Sequence, residues 1–104
     1  MPRAMVKPVI DGAATYRLLF FWCPGCDALH ACRIREGEAQ RPSWEWNGNL
    51  DLPTLSPSVL LTGTEASCHS FVVNGQIQYC DDCSHLLKGQ TVDLPEVSTW
   101  RYAP

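Results

Sequence analysis

Long apolar runs, basic charge and repeats are all scarce in this sequence. The longest apolar run, Leu18 to Cys23, is far shorter than the ~20 residues that cross a bilayer as a helix. The N-terminal stretch Met1-Pro2-Arg3-Ala4-Met5-Val6-Lys7 leads into no long apolar region, so no signal peptide is expected. Lys and Arg number 8 against 11 Asp and Glu, a formal net charge of −3. That balance lacks the basic face on which sequence-independent nucleic-acid binding relies. No internal repeat or low-complexity segment is present. There is no His-Glu-x-x-His, and no His-x-Glu to pair with a Pro-Cys-x-x-Cys, so two familiar zinc-enzyme signatures are missing.

Cysteine, by contrast, is plentiful: six in 104 residues. In a secreted chain that number reads as disulfides; in a reducing compartment it reads as a metal site. Without a signal peptide the second reading is expected, and with it a cytoplasmic location. The length suits one domain, here 1–104. A chain this short buries little of its surface and gains from a staple. Four Trp, three Tyr and three Phe supply large burial per residue, and Zn²⁺ would supply the staple. Cysteines lose their protons on binding zinc, which leaves the chain more acidic still.

The hydropathy pattern predicts a mostly β fold, a small zinc-ribbon-like antiparallel sheet with irregular loops and at most one short helix. Residues 1–14, with Pro2, Pro8 and Gly12, read as an irregular arm, and 96–104 as a tail anchored by Trp100 and Tyr102. Tyr16 to Trp22 is apolar on both faces and predicts a central strand. His30 to Arg35 alternates, with His30, Cys32 and Ile34 on one face, and predicts a strand pairing back on it. Glu36 to Pro42 reads as a loop, Trp44-Glu45-Trp46 as another alternating stretch ending at Asn47-Gly48, Leu52 to Ser58 as extended and irregular, and Ser58 to Thr62 as a short strand. Gly63 to Ser67 is a loop. Ser70 to Tyr79 is a two-residue hairpin turning at Asn74-Gly75. Counting outward pairs Val73 with Gln76, Ser70 with Tyr79 and His69 with Cys80. The hairpin therefore delivers Cys68, His69, Cys80, Asp81, Asp82 and Cys83 to one end. Ser84 to Gly89 predicts a helical turn, and Gln90 to Leu94 a last strand.

Zinc takes four N or S ligands in a tetrahedron. Cys23-Pro24-Gly25-Cys26 and Cys80-Asp81-Asp82-Cys83 are Cys-x-x-Cys turns at strand ends, the pattern of a zinc ribbon. Cys23 and Cys26 are the first expected ligands and Cys83 the next, with Cys68 or Cys80 as the fourth. His30, His69 and His85 each lie near a thiol and are lesser candidates; the plainer reading is of ordinary surface or core histidines. Cys32, mid-strand, reads as a small core residue.

Several separate motifs resemble the DUF6527 family of small phage and prophage proteins of unassigned function, sometimes mislabelled ammonia monooxygenase. They are Phe21-Trp22-Cys23-Pro24-Gly25-Cys26, His30, Trp46-Asn47-Gly48, Pro53-Thr54-Leu55-Ser56-Pro57-Ser58, Cys68-His69-Ser70-Phe71, Gly75-Gln76-Ile77, Asp82-Cys83-Ser84-His85 and Gly89-Gln90-Thr91-Val92. The resemblance implies an apolar residue at the position of Cys80, which favours Cys68 as the fourth ligand. It also implies that Asp82 and His85 are more regular than Cys83, which raises His69 and His85. The Pro-Thr-x-Ser-Pro-Ser segment suggests no metal role; its expected part is a rigid loop whose hydroxyls satisfy backbone groups. A phage origin would place the protein in the bacterial host cytoplasm.

Three functions follow as expectations. The first is a structural zinc module that binds a host or phage protein, with Trp44 and Trp46 in the loop 41–55 as anchors. The second is a zinc hydrolase with an open metal position and Asp82 or His85 as general base. The third is a nucleic-acid-binding ribbon using Arg33, Arg35 and Arg41, against which the acidic balance argues. Disulfide redox chemistry at Cys23 and Cys26 is disfavoured, because the chain beyond Cys26 alternates like a strand instead of opening a helix.

Overall fold

Period-two alternation marks the strands, and the result is three small antiparallel sheets with no α-helix among the described residues. The computed structural model describes residues 1–36, 42–63 and 66–104. Arg41, most of the loop predicted over 36–42 and the middle of the loop over 63–67 lie outside them.

The first sheet is β1 (Met5–Asp11), β2 (Ala14–Cys23) and β3 (Ala28–Arg33), with β2 central. The segment expected to be an irregular arm is therefore mostly strand. Pro8 is accommodated because β1 is an edge strand, where a missing N–H can face solvent, and Gly12 at φ +61° makes the turn into β2. Leu19, Phe21 and Cys23 alternate inward along β2, opposite Cys32, His30 and Ala28 of β3. His30 is thus the diagonal cross-strand neighbour of Cys23 on the buried face.

The second sheet is the short pair β4 (Glu45–Trp46) and β5 (Leu55–Ser56). Asn47 shapes the intervening loop by donating to the Leu52 carbonyl and accepting from the N–H groups of Asn49 and Thr54. The third sheet runs β6 (Val59–Thr62), β7 (Ser67–Val73), β8 (Gln76–Tyr79) and β9 (Thr91–Asp93) in that order. The hairpin register counted from Asn74-Gly75 is the one observed, with Ser70 opposite Tyr79 and Val73 opposite Gln76. Asn74 and Gly75 both have positive φ, as a type I′ turn requires. In place of the predicted helical turn over 84–89 there are only hydrogen-bonded turns, ending at Gly89 with φ +75°.

One buried cluster joins the three sheets, with Leu19 and Phe21 from the first, Leu55 from the second, and Val59, Val72 and Ile77 from the third. Trp44 and Trp46 both pack against it, half-buried. The tail folds back over the Cys23–Cys26 turn. Arg101 bonds the carboxylate and carbonyl of Asp27 and lies over Trp22, and Tyr102 meets the Trp22 ring edge-on. No helix among the described residues is long and apolar enough to cross a membrane.

Phe21 has no exposed surface and packs 5.3 Å, centroid to centroid, from the His30 ring. Phe21→Ala is expected to destabilise the protein by about 3–5 kcal/mol, read by chemical denaturation. An unchanged midpoint would show that Phe21 is not a core residue.

Candidate functional site

Two constellations lie back to back across strand β7. The inner one gathers Cys23, Cys26, His30 and Cys68, whose ligand atoms all lie within 4.8 Å of one another. Cys23 ends β2, Cys26 closes the turn that follows, His30 faces inward from β3, and Cys68 faces inward from β7. The sulfurs of Cys23 and Cys68 are 3.9 Å apart. Two thiolates on one tetrahedral zinc, each at 2.3 Å, would be about 3.8 Å apart.

The surroundings fit a cation. His30 Nδ1 is buried without a hydrogen-bond partner, an arrangement that costs stability unless something takes the lone pair or proton. The hydrogen bond with Cys68 pulls the Cys23 thiol down to about 3 against the opposing effect of burial. The same bond, with burial behind it, holds Cys68 well above the ordinary thiol range. Burial and the charge on Cys23 push Cys26 up to about 11. Three thiols so close share negative charge that they cannot all hold unaided; a central cation lets all three ionise.

An outer ring of hydrogen bonds steadies these groups. Tyr79 Oη accepts the Gly25 N–H at 3.0 Å and shares a hydrogen bond with Cys23 Sγ, 3.1 Å away. Burial, then the bond to Cys23, keeps that phenol's pKa raised. His85 Nδ1 accepts the Leu87 N–H, which leaves the proton of the neutral ring on Nε2, 3.5 Å from Cys68 Sγ. The ring also meets Tyr79 edge-on at 4.5 Å. Gly25 is required in this turn because a Cβ there would collide with the His85 imidazole.

Cys83 stands apart from Cys23 and Cys26, in a second group with Cys68 and His85. Its thiol accepts the His69 N–H at 3.2 Å and donates to the His69 carbonyl at 3.1 Å. Cys32 is fully buried opposite Leu19, and burial pushes its thiol up to about 12. Cys80 is half-buried, near His69 and Asp82 in a third group.

The outer constellation is built on that third group. His69, alternating outward from β7, places Nε2 2.9 Å from Ser58 Oγ and Nδ1 3.1 Å from Asp82 Oδ2. Ser58 immediately precedes β6, with Leu60 directly opposite His69 in the ladder. Ser58 thereby lies on the His69 face as a diagonal neighbour. Asp82 sits in the turn after β8, which is stitched down on both sides. Cys80 N–H donates to the His69 carbonyl, Ser67 Oγ donates to the Asp82 carbonyl, and Ser84 and Ser67 bond each other through backbone and hydroxyl. Trp44 Nε1 holds the Ser58 carbonyl at 3.1 Å. A hydroxyl, an imidazole and a carboxylate in this order form the arrangement of a Ser-His-Asp hydrolase triad.

The family model described as "Bacterial ubiquitination-like system serine protease (BubE)" matches residues 2–80. The chain belongs to the BubE family. The match takes in Ser58, His69 and the four inner donors, and stops short of Asp82. It identifies a bacterial family and says nothing of phage or prophage origin. No curated protein and no solved structure matches the chain.

Ser58 is the residue that sequence reasoning missed. The hydroxyls of its segment were expected to serve backbone groups, and that describes Thr54, whose Oγ1 accepts the Asn74 N–H. The Ser58 hydroxyl goes to an imidazole instead. The available signal was the strand beginning at Ser58, since pairing it with the strand that carries His69 brings the two together. Of the residues named as possible catalysts, Asp82 orients His69, whereas His85 belongs to the surroundings of Cys68.

Cys68→Ser is expected to lose bound metal, measured by atomic emission on purified protein, and with it the cooperative unfolding transition. Cys32→Ala is expected to retain the full wild-type metal content. Metal loss in Cys32→Ala, or full content in Cys68→Ser, would disprove the inner donor set.

Proposed function

We propose that this protein is a serine hydrolase of peptide-type bonds, built on a scaffold stapled by zinc. The observation behind this reading is that His69 bonds Ser58 through one ring nitrogen and Asp82 through the other. The family's description as a serine protease of a bacterial ubiquitination-like system supports the same reaction class. On this reading, the protein partner expected from sequence is a protein substrate.

Ser58 Oγ attacks the carbonyl carbon of the scissile bond while His69 Nε2 takes its proton. Asp82 holds the ring with Nδ1–H toward itself and stabilises the imidazolium that forms. His69 then gives the proton to the departing amine, the C–N bond breaks, and the acyl group remains on Ser58. Water, deprotonated by His69, releases the acid and returns the proton to Ser58. His69 is half-buried and Asp82 exposed, so the carboxylate is held mainly by its stitched turn.

Cys23, Cys26, His30 and Cys68 would hold the metal. Three soft sulfurs and an imidazole within 4.8 Å of one another suit Zn²⁺, which when bound would supply folding free energy. Four protein donors leave no open position for a metal-bound water, which speaks against the zinc-hydrolase expectation. Nor is His69 free to bind an ion with Cys80 and Asp82, because both its nitrogens are engaged.

A small fluorophosphonate reagent is expected to label wild-type protein on Ser58, located by peptide mass spectrometry. Ser58→Ala is expected to abolish labelling and to lower hydrolysis by about 10³-fold or more, with metal content unchanged. Asp82→Asn should slow hydrolysis by about 10²–10⁴-fold. Labelling that persists in Ser58→Ala would refute the proposal.

A further inference from the structure

Among the described residues, the edge of the third sheet that begins at Ser58 pairs with no further strand. Gly63 N–H donates to the Ala66 carbonyl, so this pair is a hydrogen-bonded one. Antiparallel ladders alternate such pairs with non-bonded ones. The pairs Leu61 with Cys68 and Val59 with Ser70 are then bonded, and Leu60 with His69 is not. Two observations on other residues agree. The His69 carbonyl is taken from the opposite side by Cys80 N–H, and the Ser58 carbonyl is taken from the open side by Trp44. The N–H and C=O of Leu60 and Thr62 therefore point away from the sheet, and neither has a hydrogen-bond partner among the described residues.

A cleft of about 390 Å³ runs beside this edge. Arg35, Ser43 and Trp44 line one wall, and Ser58, Leu60 and Leu61 the other. The Arg35 guanidinium donates to the Ser43 hydroxyl and to its carbonyl. The volume lies at the small end of the range for ligand clefts, about 300–1,000 Å³, and suits a few residues of one extended chain.

Taking Ser58 as the nucleophile, we infer that the substrate is an extended peptide segment that joins the third sheet as an added strand along β6, bonding the main chain of Leu60. Unpaired main-chain groups on a sheet edge complement those of an extended peptide, which is the physics of strand addition. The nucleophile stands at the start of that edge, so a peptide paired with Leu60 runs past Ser58. Leu60, half of whose surface is exposed (53%), and Trp44 favour an apolar side chain in the cleft. Folded loops and helices, whose main chain bonds itself, do not fit. An unstructured tail or linker of a protein does.

The test uses a mixture of N-acetylated peptides presented to the metal-loaded protein, with cleavage read by mass spectrometry. A cleaved peptide is resynthesised with a single N-methyl group at each amide in turn, leaving the scissile one untouched. Strand addition predicts a period of two: methylation at alternate positions near the scissile bond lowers kcat/KM by about tenfold or more, and at the positions between by little. Leu60→Pro, which removes the outward N–H, is expected to lower kcat/KM for the same peptide by about tenfold, its folding checked by metal content. If that variant does not fold, the methyl scan decides alone. Uniform sensitivity along the peptide would overturn the inference. So would cleavage of none of the peptides while wild type still takes the fluorophosphonate on Ser58, a result that leaves the serine reading intact. Failure to label Ser58 would instead remove that reading. A dimer in sedimentation that Leu60→Pro disperses would assign the edge to a second copy of this chain and also overturn the inference.

Discussion

Successive residues of a strand point to opposite faces, and at Cys68 and His69 that rule joins the two halves of the site. Cys68 turns inward to the sulfurs of Cys23 and Cys26, and His69 turns outward to Ser58 and Asp82. A slip of β7 by one residue would exchange the two faces and destroy both constellations together. Register here is set by the tight Asn74-Gly75 turn on one side and the Gly63–Ala66 pairing on the other. A metal on Cys68 would fix the same strand a third time, one residue away from His69.

The turn from Cys80 to Cys83 has a comparable economy. Its Cys-x-x-Cys spacing resembles a metal knuckle, yet its two thiols do different work. Cys83 grips both backbone groups of His69, so the turn is locked to the strand that carries the imidazole. Asp82, just before it in the chain, is thereby brought to Nδ1. Backbone bonds from Cys80 and Ser84 close the turn from either side. An exposed carboxylate on a loose loop would sample many positions; here the loop geometry limits where it can go.

Much of this fold was legible because two-residue periodicity and tight-turn chemistry are local. The hairpin at Asn74-Gly75, the strand ending at Cys23 and the buried face of His30 and Cys32 all follow from spacing alone. The strand at Met5–Asp11 was not legible, since its prolines and glycine resemble a loop until an edge position excuses them. The site was half legible. Cys23 and Cys26 follow from their turn, and the counted register leaves Cys68 and Cys80 open until the family resemblance favours Cys68; His30 joins them by pairing diagonally across β2 and β3, which no single segment reveals. Ser58 was hidden for a related reason. A serine beside prolines has an ordinary local explanation, and only the pairing of β6 with β7 sets it against an imidazole.

The inner donors come from distant parts of the chain, with Cys23 and Cys68 separated by 45 positions. A bridge of that span removes conformations from the unfolded chain much as a covalent cross-link does. For a loop of this length the loop-closure effect is about 4 kcal/mol. Because Cys68 belongs to the third sheet and the other three donors belong to the first, neither sheet can complete the bridge alone. Partly folded chains with only one sheet formed would offer an ion three donors at most, so an ion bound by all four would widen the gap between the native state and every half-built one.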